Sequence, residues 1–291
     1  MVLQALVGVV MAGGVAACMF AGAARSPQVT LPVHLARQSA DDLEITGLPP
    51  QSSRYVGYAE LTALPQVTAE INAGPDFGGL TMQVTGVDLD RLAAALGVPA
   101  SADLIDALCT DRYRSYFPAE YRARHHPLLV LKVDGQRMAE WAEHTHQYDP
   151  GPYFIEYDNF VPAFHVLSHA DEEQQPTNVM RLNFGSAVKE FAVLKPHESH
   201  APDSPVGQGF VIAKQNCLRC HFSGEVGGTK SGVNWSVLSR LAREQPAFFA
   251  QYVSSPAAVA PQAHMPGNPQ YDEVTLEALT GYFAAMTEVR R

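Results

Sequence analysis

Gln215-Asn216-Cys217-Leu218-Arg219-Cys220-His221 is the stretch on which the reading of this chain turns. Two thiols three positions apart, with an imidazole directly after the second, satisfy the needs of covalent haem attachment. The thiols add across the two vinyl groups, and the adjacent histidine reaches the iron from one side. Cys217 and Cys220 are therefore the expected thioether residues and His221 the expected axial ligand. A redox dithiol would need a strand–helix junction around the pair, which the flanking sequence does not suggest. A zinc site would need a second ligand pair at matching spacing, and the chain has four cysteines in all, the others being Cys18 and Cys109.

Working outward, Gly209 precedes Cys217 by eight residues and is followed by the apolar Ile212. Gly227-Gly228 lies downstream, Met265-Pro266 further on, and Tyr282-Phe283 falls in an apolar-periodic segment. Over residues 205–291 this order resembles the single-haem cytochrome c family. The resemblance implies an all-α domain, with Gly209 at the start of a first helix and the paired glycines passing close under the haem. It implies Met265 as sixth ligand to iron, with His264 as its neighbouring rival. A thioether favours Fe(II) more than imidazole does, so a His221/Met265 pair implies a comparatively high potential and an iron with no open position.

Helical candidates in this part are Gly209 to Asn216, Ser236 to Arg243, Pro246 to Val253 and Asp272 to Val289. The last carries Leu276, Leu279, Phe283 and Met286 on one side. Residues 197–204 lie in a Pro, Ser, His and Asp cluster and read as a linker. Before it the pattern is mostly β. Strands are expected at Leu43 to Gly47, Val67 to Ile71, Leu80 to Val84, Leu128 to Val133, Tyr153 to Tyr157, Val179 to Phe184 and Phe191 to Leu194. Short helices are expected at Tyr58 to Leu64 and Asp88 to Leu96, the latter ending at Gly97. The fold class is thus α+β, with a mostly β domain over residues 28–196 followed by an all-α domain over 205–291.

The net charge is −10, which sets aside a free-standing nucleic-acid binder. Residues 199–291 hold 7 Lys/Arg and 7 Asp/Glu, so the whole acidic excess lies earlier in the chain. Residues 1–24 contain no charged side chain. With residues 1–27 taken as the export segment, three readings stand: a signal peptide cut after Ala21, Ala23 or Ala24, a retained membrane anchor, and a lipoprotein signal at Val15-Ala16-Ala17-Cys18. Each places the rest of the chain in the periplasm, free or membrane-attached.

Residues 42–195 resemble a diverged sulfite-oxidase-type molybdopterin domain. The resemblance runs through Leu43 to Leu48, Tyr58 to Leu61 with Leu64-Pro65, Gly86 to Leu89, Asp111 to Arg114 and Leu129 to Gly135. Members that act as enzymes hold molybdenum through a cysteine before the Gly-Val-x-Leu element. Here that segment is Val67 to Gly74 and has no cysteine, so the resemblance implies a retained fold without molybdopterin. Cys109 reads as a small buried hydrophobe. His144-Thr145-His146 could place two imidazoles on one face of a strand, but with no further ligand near in sequence it reads, like His125-His126, as a solvated polar segment. Asp171-Glu172-Glu173 reads as a wet loop, with an acidic docking patch as its functional rival.

The expectation is an exported cytochrome c that carries one haem c and passes single electrons. It is an electron carrier rather than an enzyme in its own right. Its first domain docks a redox protein such as a respiratory complex or a periplasmic oxidoreductase. The alternative is a molybdenum oxidoreductase, or its subunit, whose electrons leave through its own haem. A haem sensor would need the distal Met265 to give way to a diatomic gas.

Overall fold

The computed structural model describes residues 31–49, 53–72, 77, 79–162, 169 and 171–286. The apolar segment 1–24 with Cys18, and the chain beyond Met286 including Val289, lie outside the described residues, as does Gly74. Among the described residues, no helix is long and apolar enough to cross a membrane.

The elements up to residue 190 are β1 (Leu43–Thr46), β2 (Arg54–Val56), α1 (Tyr58–Thr62), β3 (Val67–Asn72), β4 (Thr81–Asp88), α2 (Leu89–Ala95), β5 (Leu104–Cys109), β6 (Arg114–Pro118), α3 (Ala119–His125), β7 (Leu128–Val133), α4 (Met138–Thr145), β8 (Phe154–Glu156), β9 (Val179–Gly185) and α5 (Ala187–Glu190). A 3-10 turn at Phe191–Leu194 follows. The remainder comprises α6 (Pro205–Asn216), β10 (Phe222–Ser223), β11 (Val226–Gly227), α7 (Trp235–Glu244), α8 (Pro246–Ser254), α9 (Pro256–Val259) and α10 (Glu273–Ala285). The chain is a mixed structure of α+β character.

Two sheets organise the first part. One has strand order β2-β1-β9-β5-β6, with β1 parallel to β9 and its other neighbours antiparallel; the second has order β3-β4-β7-β8. The main core lies between them, because alternate residues of each strand face it. Leu43, Ile45, Ile105, Ala107, Phe117, Leu182 and Phe184 enter from the first sheet, and Leu129, Leu131 and Ile155 from the second. Val130, Val133 and Phe154 point the other way, where α4 covers them with Met138 and Trp141. Buried on both faces, β7 therefore reads as an unbroken apolar run.

The reverse face of the five-stranded sheet is polar. Arg181 Nε donates to Glu44 at 2.9 Å, Asn183 Nδ2 to Asp106 at 2.7 Å and Thr46 Oγ1 to Asn183 at 3.0 Å. Arg114 stands 3.4 Å from the buried Asp106 carboxylate. This face and the β5–β6 turn approach the haem-motif loop described below.

Three expectations are corrected. Phe191–Leu194 is a 3-10 turn, not a strand: Phe191 and Leu194 are buried while Ala192 and Val193 are exposed, a period of three that a strand cannot produce. The solvated reading of His144-Thr145-His146 stands, for all three are exposed where they close α4, with His144 2.7 Å from Gln136 Oε1 and His146 in a left-handed conformation. His125 is buried, stacked on Phe160 at 4.3 Å and 3.0 Å from Asp171. Asp171 is accordingly 4% exposed and is no part of a wet acidic loop.

Glu156 gives a stability prediction. It is 3% exposed on β8, and burial pushes its carboxyl up to about 7, against the opposing pull of the Gln175 amide. A folded pKa above the unfolded one means that the folded state binds the extra proton. Stability then falls as pH rises from about 4.5 through about 7, by ~3 kcal/mol at most. Glu156→Gln is expected to flatten this part of the profile and to exceed the parent in stability at pH 8. Urea unfolding at pH 5 and pH 8 checks it; parallel profiles for the two proteins would contradict it.

Candidate functional site

The Cys217-Leu218-Arg219-Cys220-His221 residues sit where a helix stops. Ser204 Oγ accepts from Gly207 N–H and Pro205 occupies the first turn, which together start α6. Ile212 and Ala213 face the core, and Gly209 lies against α10 so closely that a Cβ would stand 2.0 Å from the carbonyl oxygen of Ala278. The chain then tightens into a 3-10 turn at Cys217–Arg219, and the N–H of His221 donates to Cys217 O at 3.0 Å. One turn thus presents Cys217, Cys220 and His221 together.

Neither thiol is in a disulfide. Burial pushes both up, that of Cys217 to about 12, although part of each side chain remains accessible. His221 is 8% exposed, and its Nδ1 lies 3.0 Å from the carbonyl oxygen of Val233 and 3.0 Å from Ser231 Oγ. A carbonyl can only accept, so the proton resides on Nδ1 and Nε2 keeps its lone pair. Burial lowers the imidazole below its ordinary value, which keeps that lone pair available.

The paired glycines are backbone contacts to this loop. Gly227 has φ +105°, and a Cβ there would stand 2.2 Å from His221 O; at Gly228 it would stand 1.9 Å from Arg219 O. Gly228 N–H also donates to Leu218 O at 2.8 Å. Side chains at either position would push the loop away.

Met265 is half-buried and packs against the same apolar cluster as Cys217, Leu218, Val226 and Trp235. It also lines an open groove with Ser254, Pro256, Ala258, Gly267 and Pro269. His264 is exposed. The sequence reading missed Trp235, whose Nε1–H donates to Tyr282 OH at 3.0 Å while that hydroxyl donates to Leu194 O at 2.6 Å. An isolated Trp at a helix start carries no signal of such a partner. It also passed over Tyr271, whose hydroxyl accepts from Asn216 Nδ2 at 2.9 Å, directly before Cys217.

In the first part, the cysteine-free segment after Pro65 runs along β3, where Ala69 and Ile71 face inward and Thr68, Glu70 and Asn72 outward. Cys109 ends β5 inside the main core, 1% exposed, its thiol pushed up to about 12 by burial. Among the described residues, no group of three or more His, Cys, Asp or Glu side chains is arranged to hold a metal ion.

No protein-family model matches the chain, and no curated protein matches it. A solved structure of the sulfane dehydrogenase SoxCD from Paracoccus pantotrophus is similar at 19% identity with a TM-score of 0.35, covering 52% of this chain and 40% of that one. The chain therefore spans well under half of that structure's length, and at this score fold and activity have to be read from the chain itself.

Proposed function

We propose that this chain is an exported c-type cytochrome with one covalent haem, bound through Cys217 and Cys220, with His221 and Met265 as axial ligands. The observation that carries the reading is the His221 tether. A buried imidazole, fixed through Nδ1 to Val233 O beside two unpaired thiols on one turn, presents Nε2 as a ready ligand. The donor set fits haem c. Two thiols and an imidazole supply its covalent and proximal bonds, and the glycines leave the loop backbone room to pack tightly. When bound, haem c accepts and releases one electron at a time.

The chain's own residues do the rest. The Met265 thioether, packed against the same apolar cluster as Cys217, would supply the second iron ligand and favour the reduced iron. With His221 and Met265 both bound to iron, no position would be left for a substrate, and the chemistry supplied would be electron transfer. The first domain, without molybdopterin, docks a redox protein partner. The acidic excess before residue 199 suits a basic surface on that partner, whose attraction weakens with salt. Residues 1–24 direct the chain to the periplasm and provide its membrane attachment if retained.

One purified holoprotein tests this. Metal analysis is expected to return iron without molybdenum; stoichiometric molybdenum would replace this reading with a molybdenum oxidoreductase. The oxidised protein is expected to show the weak near-red band of a Met–Fe(III) bond. Met265→Ala should lose that band and His264→Ala keep it, and the reverse pattern would assign the distal ligand to the neighbour.

A further inference from the structure

The haem-motif loop is enclosed by the β-rich part from two directions. On one side stands the β5–β6 turn: Thr229 N–H donates to Arg112 O at 3.1 Å, Gly227 N–H to Tyr116 OH at 2.7 Å, and Arg114 to Glu225 O at 3.3 Å. Lys230 pairs with Asp111 there. On the other side runs the 171–175 segment. Gln174 Nε2 donates to Gln215 O at 3.2 Å and Gln215 Nε2 to Glu172 O at 2.8 Å.

Arg219, one of the two residues between the cysteines, reaches the second side. Its Nε–H donates to Gln215 O at 2.9 Å and its Nη2 to Asn216 Oδ1 at 2.9 Å and Glu173 O at 3.3 Å. The Tyr113 side chain on the β5–β6 turn lies near enough for the two groups to interact electrostatically. Guanidinium suits this place because its planar fork can serve several acceptors at once and its charge persists at every relevant pH. The charge is close enough to both thiols to oppose the effect of burial on them.

We propose that Arg219 is a positioning residue that clamps the haem-attachment turn onto the 171–175 segment, placing a permanent positive charge beside the haem. The β-rich part is then a wall of the haem site as well as a docking module. A fixed cation disfavours the more positive Fe(III) state, so it raises the reduction potential. This inference rests on the haem reading, and the experiment separates the two.

Full-length wild type, Arg219→Gln and Arg219→Lys are compared by redox titration and by hydrogen exchange. Arg219→Gln is expected to lower the potential, and Arg219→Lys, which keeps the charge, to stay close to wild type. Both should speed exchange in residues 171–175 by about tenfold, since each loses the fork. An unchanged potential in Arg219→Gln overturns the proposal. If Arg219→Gln fails to mature, unchanged exchange in Arg219→Lys overturns it instead. Absence of covalent haem from the wild type would defeat the haem reading alone. The clamp remains readable by exchange in the haem-free chain, where unchanged rates in Arg219→Gln overturn it.

Discussion

Replacing Cys217 and Cys220 together by alanine abolishes haem retention through SDS electrophoresis, with each single variant keeping part of it. The effect is all-or-none rather than a shift in affinity, because a thioether survives denaturation and axial coordination does not. The expected outcome depends on geometry that the turn supplies. The thiols are free of each other, and the hydrogen bond from His221 N–H to Cys217 O closes the turn. The control is structural: Cys217 is only half-buried at the edge of its cluster, so truncation to alanine costs about 1 kcal/mol. Far-UV circular dichroism should therefore find the double variant folded. The measurement is the haem absorbance or peroxidase stain of the polypeptide band, together with extraction by acidified organic solvent. Haem that leaves the wild type under extraction would refute covalent attachment.

What was legible in the sequence was what local pattern determines. The helix α2 announces itself by Leu89, Leu92, Ala93 and Leu96, with Asp88 accepting from Asp90 and Arg91 N–H at its start and Gly97 at φ +68° after its end. Gly209 and the Gly227-Gly228 pair were singled out only through the family resemblance of residues 205–291, and their close approaches come from the structure. The illegible parts depend on partners far away in sequence. Strand β5 did not read as a strand because Asp106 interrupts its apolar run; only Asn183 and Arg114 on the neighbouring strands make that carboxylate tolerable. His125 looked solvated because its partner Asp171 is 46 residues away. The same limit hid the clamp. Nothing in Arg219 itself indicates that it reaches Glu173, and the motif read in isolation suggests a domain that shares no wall with its neighbour.

Alanine is expected to have opposite effects at two glycines of the same helix pair, and the larger effect is at Gly209. In a helix interior, Gly→Ala ordinarily stabilises by ~1 kcal/mol through backbone entropy and propensity. At Gly281 on α10 the new Cβ would meet nothing nearer than Val206 Cγ2 at 4.0 Å, so that gain should be realised. At Gly209 the Cβ would stand 2.0 Å from Ala278 O, 2.6 Å from Ala278 C and 2.7 Å from Tyr282 Cβ. None of these is the far end of a flexible side chain. They are the backbone of α10 and the root of a residue that is fully buried and tied to Trp235 and Leu194. The two helices would have to separate, and separation opens the layer containing Ile212, Leu279 and Phe283. Overpacking of this kind costs about 3 kcal/mol, which exceeds the propensity gain. Gly209→Ala should lower the thermal midpoint of the full chain by several degrees and Gly209→Val by more, while Gly281→Ala raises it. Because α6 delivers Cys217 to its place, the Gly209 variants should also mature with less covalent haem per chain. A Gly209→Ala protein as stable as the parent would mean that α6 and α10 do not cross at this residue.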